Sequence, residues 1–216
     1  LITWMACPAS DALSTSMRSA CENLRALMPR QVMDREKARM RGSWPMAPTA
    51  VKNIVGIVKA YSTRVGNGPF PTECTDSIGE RLRSVGHEFG ATTGRPRRCG
   101  WLDMVSLKYS LEVNGIREIA LTKLDVLDAF DEIKICTGYK KDGRILKTFP
   151  TDVQTLGNAE PVYKSYRGWN ATISDAKKYK QLPKQTQHYI EIIEKLSGVP
   201  VSIVSVGARR DQTIQR

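Results

Sequence analysis

PKQTQHYIEIIEKLSGVPVSIVSVG, residues 183–207, decides the fold class. Pro183 has its φ preset for a first helical turn and lacks an N–H that the turn would leave unpaired. Tyr189, Ile192, Ile193 and Leu196 then recur at helical spacing and form one apolar stripe. Gly198 permits the left-handed stop that ends many helices, and Pro200 cannot continue the helix. Val201–Val206 is short, apolar and rich in β-branched residues, so it reads as a buried strand running into Gly207. A helix followed at once by a buried strand is half of an α/β layer.

The same alternation appears upstream. Ser77–Val85 reads as a short helix. Leu102, Val105, Tyr109 and Val113 give helical spacing over 102–113, closed by Asn114–Gly115. Ile116–Leu121 is a short β-like run that ends at Thr122-Lys123-Leu124-Asp125. Ile133–Tyr139 is another, and Lys141-Asp142-Gly143 signals a hairpin before Ile145–Phe149. Gly66–Glu73 is dense in turn formers, and Gly90–Gly100, GATTGRPRRCG, reads as a long Gly- and Arg-rich loop.

Three segments carry recognition chemistry. Asp125 at the end of a strand offers a carboxylate that accepts two hydrogen bonds at once. Guanine presents that pair of donors on one edge and adenine does not. Lys123, two residues earlier, can lay its alkyl stem along a base. An ordinary surface Lys/Asp pair reads equally well from T-K-x-D alone. In the Gly-rich loop, Arg95, Arg97 and Arg98 are forks suited to carboxylates or phosphates. Thr92 and Thr93 add hydroxyls, and Gly90 and Gly94 allow tight turns. The alternatives there are a solvated basic loop or a nucleic-acid contact. Ser205-Val206-Gly207 closes the last strand, where ligands of open α/β sheets sit; a plain strand-ending turn is the other reading.

The chain has 216 residues, of which 41% are hydrophobic, enough for a sizeable core. Lys and Arg number 33 against 22 Asp and Glu, giving +11 and favouring anionic partners. No run of 18 apolar residues is present, so no membrane helix is expected and a cytoplasmic protein is. The five cysteines show no C-x-x-C spacing, which argues against zinc. Cys136 reads as a small core residue, and neither His87 nor His188 has triad or metal spacing. Glu73 and Asp103 flank the loop segments without an evident partner. Composition shifts near residue 47: six of seven methionines precede it, and only Asp11–Met28 there has helical periodicity. Residues 1–47 therefore read as a weakly structured leader.

Five runs together are more specific than any one motif: VKAYSTRVGNGPFPTE (58–73), EFGATTGRPRRCGWLD (88–103), LTKLDVLDAFDEIKICTGY (121–139), LPKQTQHYIEIIEKLSGVPV (182–201) and VSVG with RDQTI (204–214). Residues 48 to about 212 resemble the C-terminal portion of adenylosuccinate synthetase. The resemblance implies an α/β fold, the C-terminal part of a large mostly parallel-sheet GTP-dependent ligase fold. It implies coupling of IMP to aspartate, with GTP split to GDP and phosphate and Mg2+ required. Thr92, Thr93, Gly94, Arg95, Pro96, Arg97 and Arg98 would form the aspartate loop, with Arg95 on the aspartate carboxylate beside IMP and Arg97 reaching toward GTP. Val65 would line the IMP pocket. Lys123, Leu124 and Asp125 would hold guanine, with Ser205, Val206 and Gly207 against it. Family members are cytoplasmic homodimers.

The sequence departs from the family in places. Ala208 follows Gly207 where a proline is usual, and Arg167 replaces the proline of a P-G-W turn. No phosphate-cradling Gly-rich loop and no catalytic histidine context occur, and the D-H-G-T-Y-P-F-V run expected shortly before Pro48 is MDREKARMRGSW. The expectation is a chain with the family's recognition residues, no catalytic residue or metal ligand of its own, and no turnover alone. The leader is expected to be foreign to the family, from a shifted reading frame or a shortened gene. The competing expectation is a non-catalytic guanine-nucleotide or nucleic-acid binding module.

Overall fold

The computed structural model describes residues 53–216. The leader reading for 1–47 and the helical periodicity of Asp11–Met28 lie outside the described residues.

The principal sheet has strand order β1-β5-β9-β10, with β1 at Val55–Lys59, β5 at Glu118–Thr122, β9 at Val201–Ser205 and β10 at Thr213–Gln215. β1, β5 and β9 are parallel neighbours; β10 returns antiparallel on β9. The middle strand β5 buries Ile119, Ala120 and Leu121 in succession. A strand covered on both faces needs such a continuous apolar run rather than alternation.

The crossovers supply the cover. α1 (Ser77–Val85) spans the residues read as helical; Asp76 caps it by accepting from the amides of Ile78 and Gly79. α2 (Met104–Val113) is capped by Asp103, which also accepts from the Tyr139 hydroxyl. Two residues read as helical, Leu102 and Asp103, instead form the short strand β4. They pair in parallel with β6 (Glu132–Lys141) before Asp103 turns the chain into the helix. α2 ends at Asn114, with Gly115 at φ 59°. α4 (Lys184–Ser197) ends at Gly198 with φ 73°. Its buried stripe is Tyr189, Ile190, Ile192 and Ile193, and Leu196 is half-buried at its edge. The Tyr189 hydroxyl donates to the Ala60 carbonyl at 2.6 Å, fixing the helix to the end of β1.

A second sheet is built on β6, parallel to β4 and antiparallel to β7 (Arg144–Leu146) and β8 (Glu160–Arg167). The expected Asp142–Gly143 hairpin joins β6 to β7, with φ 49° and 75° at those two residues. The eight-residue β8 and the short helix α3 (Val153–Gly157) left no clear trace in the sequence. No residue of β8 is fully buried, so its pattern lacks the apolar alternation that marks a strand. Cys136 is fully buried, as a small core residue would be.

The segment read as one loop over 90–100 is divided. Residues 90–97 are loop, but Arg98–Gly100 form β3, antiparallel to β2 (Ser62–Arg64). Gly100 is needed there, because a Cβ would collide with the Thr72 carbonyl on the adjoining segment.

Leu121 is fully buried in the central strand. Leu121→Ala should lower unfolding free energy by about 2–5 kcal/mol, measured by urea denaturation of the purified chain.

Candidate functional site

Parallel pairing aligns the carboxyl ends of β1, β5 and β9. Lys59 lies opposite Thr122, and Leu121 lies opposite Val204. Residues just beyond these pairs, Lys123 to Asp125 and Ser205 to Gly207, therefore meet at one edge of the sheet. This is where ligands bind in open α/β folds.

At that edge Lys123 adopts the left-handed conformation, φ 63°, and starts the 3-10 turn Leu124–Leu127. A non-glycine residue held there costs about 1–3 kcal/mol. Two contacts oppose that cost: Leu124 is fully buried, and Lys123 Nζ donates to the Gly86 carbonyl at 2.8 Å. The turn presents Asp125. Burial raises its carboxyl above the usual carboxylate range, and the Lys123 charge offsets part of the rise.

Comparison with two other sheltered aspartates singles Asp125 out. Asp103 accepts from the Val105 and Ser106 amides and from Tyr139. Asp128 accepts from Trp169 Nε1 at 2.8 Å and the Ile173 amide at 3.1 Å. Among the described residues, no side chain donates to the Asp125 carboxylate. It is a half-buried acceptor pair whose one local partner is its own amide, with no other residue's side chain committed to it.

Beside it, Ser205 donates to the Gly207 carbonyl at 2.8 Å, and the buried Val206 donates its amide to the Gln212 carbonyl at 2.9 Å. A Cβ on Gly207 would strike the Gln212 side chain. Gln212 cannot easily yield, because its Oε1 accepts from the Arg209 amide and its Nε2 donates to the Ser174 carbonyl. The glycine is thus required by the turn itself, a reason the sequence did not reveal. Ala208 is exposed in that turn, and Arg167 ends β8 opposite Glu132.

The arginine loop is a small hairpin. The Arg97 amide donates to the Glu88 carbonyl at 2.9 Å, Phe89 bridges Pro96, and the Gly90 amide donates to the Arg95 carbonyl at 2.8 Å. Gly94, φ 63°, donates to the Gly90 carbonyl, and the Thr93 hydroxyl accepts from the Arg95 amide. Residues 91–96, and with them Thr92, Thr93, Arg95 and Pro96, are exposed.

The three arginines separate in role. Arg95 stands at the exposed tip. Arg97 turns to the sheet, where its Nη1 meets Glu88 Oε2 at 3.0 Å. Arg98 points elsewhere: its Nε and Nη2 grip both oxygens of Glu73, and its Nη1 donates to the Gly66 and Gly68 carbonyls. Arg98 therefore secures the Gly66–Glu73 loop and is not brought together with the other site residues. Val65, at the start of that loop, is 74% exposed.

Glu88 was not singled out in the sequence. Its neighbours Phe89 and Gly90 drew attention to the arginines, and a single glutamate before a glycine run has no signature. It is 1% exposed, yet ionised and well connected. Burial pushes its carboxyl up, but the Lys59 charge and hydrogen bonds from Lys59 and Tyr61 outweigh that and hold it below the usual range. The same burial lowers Lys59 despite its partner. Glu73 and Asp103, without partners in the sequence reading, have them in the fold. His188 is exposed on α4, 3.9 Å from Glu191, and His87 is exposed at φ 49°.

The division among the arginines is testable. Arg98→Lys keeps the charge but loses the fork, and should destabilise the chain by about 1–3 kcal/mol. Arg95→Lys at the exposed tip should change stability by less than about 0.5 kcal/mol. Thermal melts of both variants measure the difference.

Comparison with known proteins accords with this geometry. A sequence model of the adenylosuccinate synthetase family matches residues 37–214. The adenylosuccinate synthetase of Chlorobium phaeobacteroides is 54% identical over 171 residues, covering 79% of this chain and 39% of that protein. That of Pelobacter propionicus is 55% identical over 169 residues, covering 78% and 39%. The structure of fully ligated adenylosuccinate synthetase from Plasmodium falciparum matches with TM-score 0.76 and 41% identity, over 79% of this chain and 41% of that one. The chain spans about two fifths of the length of the curated relatives it matches. On a shared fold, a family match over residues 37–214 and more than half of the aligned residues identical to such relatives, the chain belongs to the adenylosuccinate synthetase family, a family of ligases.

Proposed function

We propose that this chain supplies the guanine- and aspartate-recognising part of a GTP-dependent ligase that joins IMP to aspartate, giving adenylosuccinate on the route to AMP. The observation that carries the reading is Asp125: a half-buried carboxylate, without a side-chain donor among the described residues, at the carboxyl edge of a parallel sheet. Guanine N1–H and its exocyclic amine are the donor pair such a carboxylate takes. Lys123 and Leu124 hold the turn in place, and Ser205, Val206 and Gly207 form the neighbouring wall.

In this reading Arg95, with Thr92, Thr93, Gly94 and Pro96 shaping the hairpin, takes the aspartate carboxylate. Arg97, nearer the sheet, reaches toward the nucleotide phosphates, where a planar fork suits the geometry. Arg98 contributes by fixing the Gly66–Glu73 loop that carries Val65, the residue assigned to the IMP pocket. Domain organisation follows the same reading: a leader over 1–47 foreign to the family, then the family region from residue 48. The family match begins at residue 37, inside the segment assigned to that leader. The assembly is proposed to be a cytoplasmic homodimer. Among the described residues no helix is long and apolar enough to cross a membrane.

Magnesium is the ion that phosphoryl chemistry with GTP calls for. Among the described residues no three metal-ligating side chains cluster, so the residues present do not form a cage for it. No step is derived through the ion. Recognition without turnover is what this chain is proposed to provide by itself. The basic charge favours a nucleotide over a nucleic acid for a structural reason: Lys59 and Arg97 share the one carboxylate of Glu88 and Arg98 is paired with Glu73, which leaves a local positive charge instead of an open stripe.

Calorimetric titration should show GTP binding and ATP failing to compete. Asp125→Asn places a donor where guanine needs an acceptor and should weaken GTP by about 2–4 kcal/mol, roughly 30- to 1000-fold. Equal affinity for GTP and ATP in the unaltered chain would falsify the reading. A pH series adds a second check. Guanine needs Asp125 ionised, and its carboxyl titrates above the usual range. Affinity should therefore fall on acidification sooner than an ordinary exposed aspartate would allow.

A further inference from the structure

We propose that Glu88 is a positioning residue: its buried charge holds the Gly90–Arg95 hairpin against the end of β1 and so aims Arg95, the arginine that meets a carboxylate ligand. The ligand's class rests on the recognition reading above, and the holding role rests on geometry alone.

Glu88 collects three donors on one carboxylate. Lys59 Nζ and the Tyr61 hydroxyl both reach Oε1 at 2.7 Å, and Arg97 Nη1 reaches Oε2 at 3.0 Å. Lys59 ends β1 and Tyr61 lies two residues beyond it, so those two donors belong to the sheet side. Arg97 belongs to the returning arm of the hairpin, and its amide is also bonded to the Glu88 carbonyl. Glu88 is thus fastened to Arg97 through both backbone and side chain, and to the sheet through side chain alone.

Charge explains why this residue is the pivot. Arg97 and Lys123 both lie within electrostatic reach of Lys59, beside this carboxylate. Three sheltered cations repel, and a single buried anion between them offsets part of the repulsion. Arg97 Nε is buried without a partner, so Glu88 is the anion that holds this guanidinium. One other residue fastens the hairpin's base: Arg83 of α1 donates from Nε to the Arg97 carbonyl at 3.0 Å and accepts from the Glu88 amide on its own carbonyl at 2.9 Å. Residues 91–96 are exposed, and the bonds between Gly90, Thr93, Gly94 and Arg95 tie the hairpin only to itself. Lys123 reinforces the arrangement from the guanine side, through its bond to the Gly86 carbonyl two residues before Glu88.

Hydrogen exchange of the ligand-free full chain tests this. Glu88→Gln preserves shape and an acceptor for Tyr61 while removing the charge. Exchange at the Gly90, Gly94 and Arg97 amides should rise about tenfold or more, while β9 and α4 keep the unaltered rates. Tyr61→Phe, which removes one neutral bond and leaves both ion pairs, should give a smaller rise confined to the same amides. It stands in for Glu88→Gln should that variant not fold. Unchanged hairpin exchange, an even loss of protection across the whole fold, or hairpin amides already unprotected in the unaltered chain would each overturn the proposal. Preference for GTP over ATP, read separately on the same samples, reports on Asp125 and not on Glu88.

Discussion

The parallel pairing of β5 with β1 on one side and β9 on the other is the constraint on which the rest depends. Parallel neighbours end at the same edge, so every strand delivers its following loop to one place. Lys59, Lys123 and Ser205 are far apart in sequence, and strand register alone makes them neighbours. The cost of that pairing is a long crossover for each connection. α1 and α2 lie between β1 and β5, and α4 between β5 and β9; their apolar faces close the core over Ile119, Leu121 and Val204. The packing that stabilises the sheet is also what positions the site.

A second constraint acts at the edge itself. The site is rich in cations and partly sheltered from water, a combination that is unfavourable without counter-charges. Two carboxylates divide the work. Glu73 binds Arg98 and ties down the loop after β2, while Glu88 gathers Lys59, Tyr61 and Arg97 at the end of β1. Asp125 stands apart because, among the described residues, no side-chain donor is committed to its carboxylate. Two of the three loop arginines are thus held by glutamates, which leaves Arg95 as the exposed fork and Asp125 as the open acceptor.

Much of this was legible in the sequence, for identifiable reasons. Helix bounds were readable where caps were strong: Asn114–Gly115 after α2, and Pro183 and Gly198 around α4. The strands β5 and β9 were readable because buried parallel strands are continuous apolar runs. β8 was not, since none of its residues is fully buried and it owes its place to pairing with β6. Asp125 and the arginines were legible as residue types suited to guanine and to carboxylates. The separate task of Arg98 was not, because its partner Glu73 lies 25 positions away and is brought beside β3 by a bridge to Gly100. Glu88 was illegible for the same reason. A buried hub is defined by what converges on it, and Lys59, Tyr61 and Arg97 converge only in three dimensions.

The recognition role of Asp125 is the centre of the whole reading, and exchanging its chemistry tests it most directly. Xanthine keeps the N1–H donor of guanine but carries a carbonyl in place of the exocyclic amine. An asparagine at 125 would accept from the first and donate to the second, restoring both bonds. Titration of the Asp125→Asn chain with xanthosine triphosphate and with GTP should show the xanthine nucleotide binding more tightly, the reverse of the unaltered chain. Unaltered preference for GTP in the variant would contradict a guanine contact at Asp125.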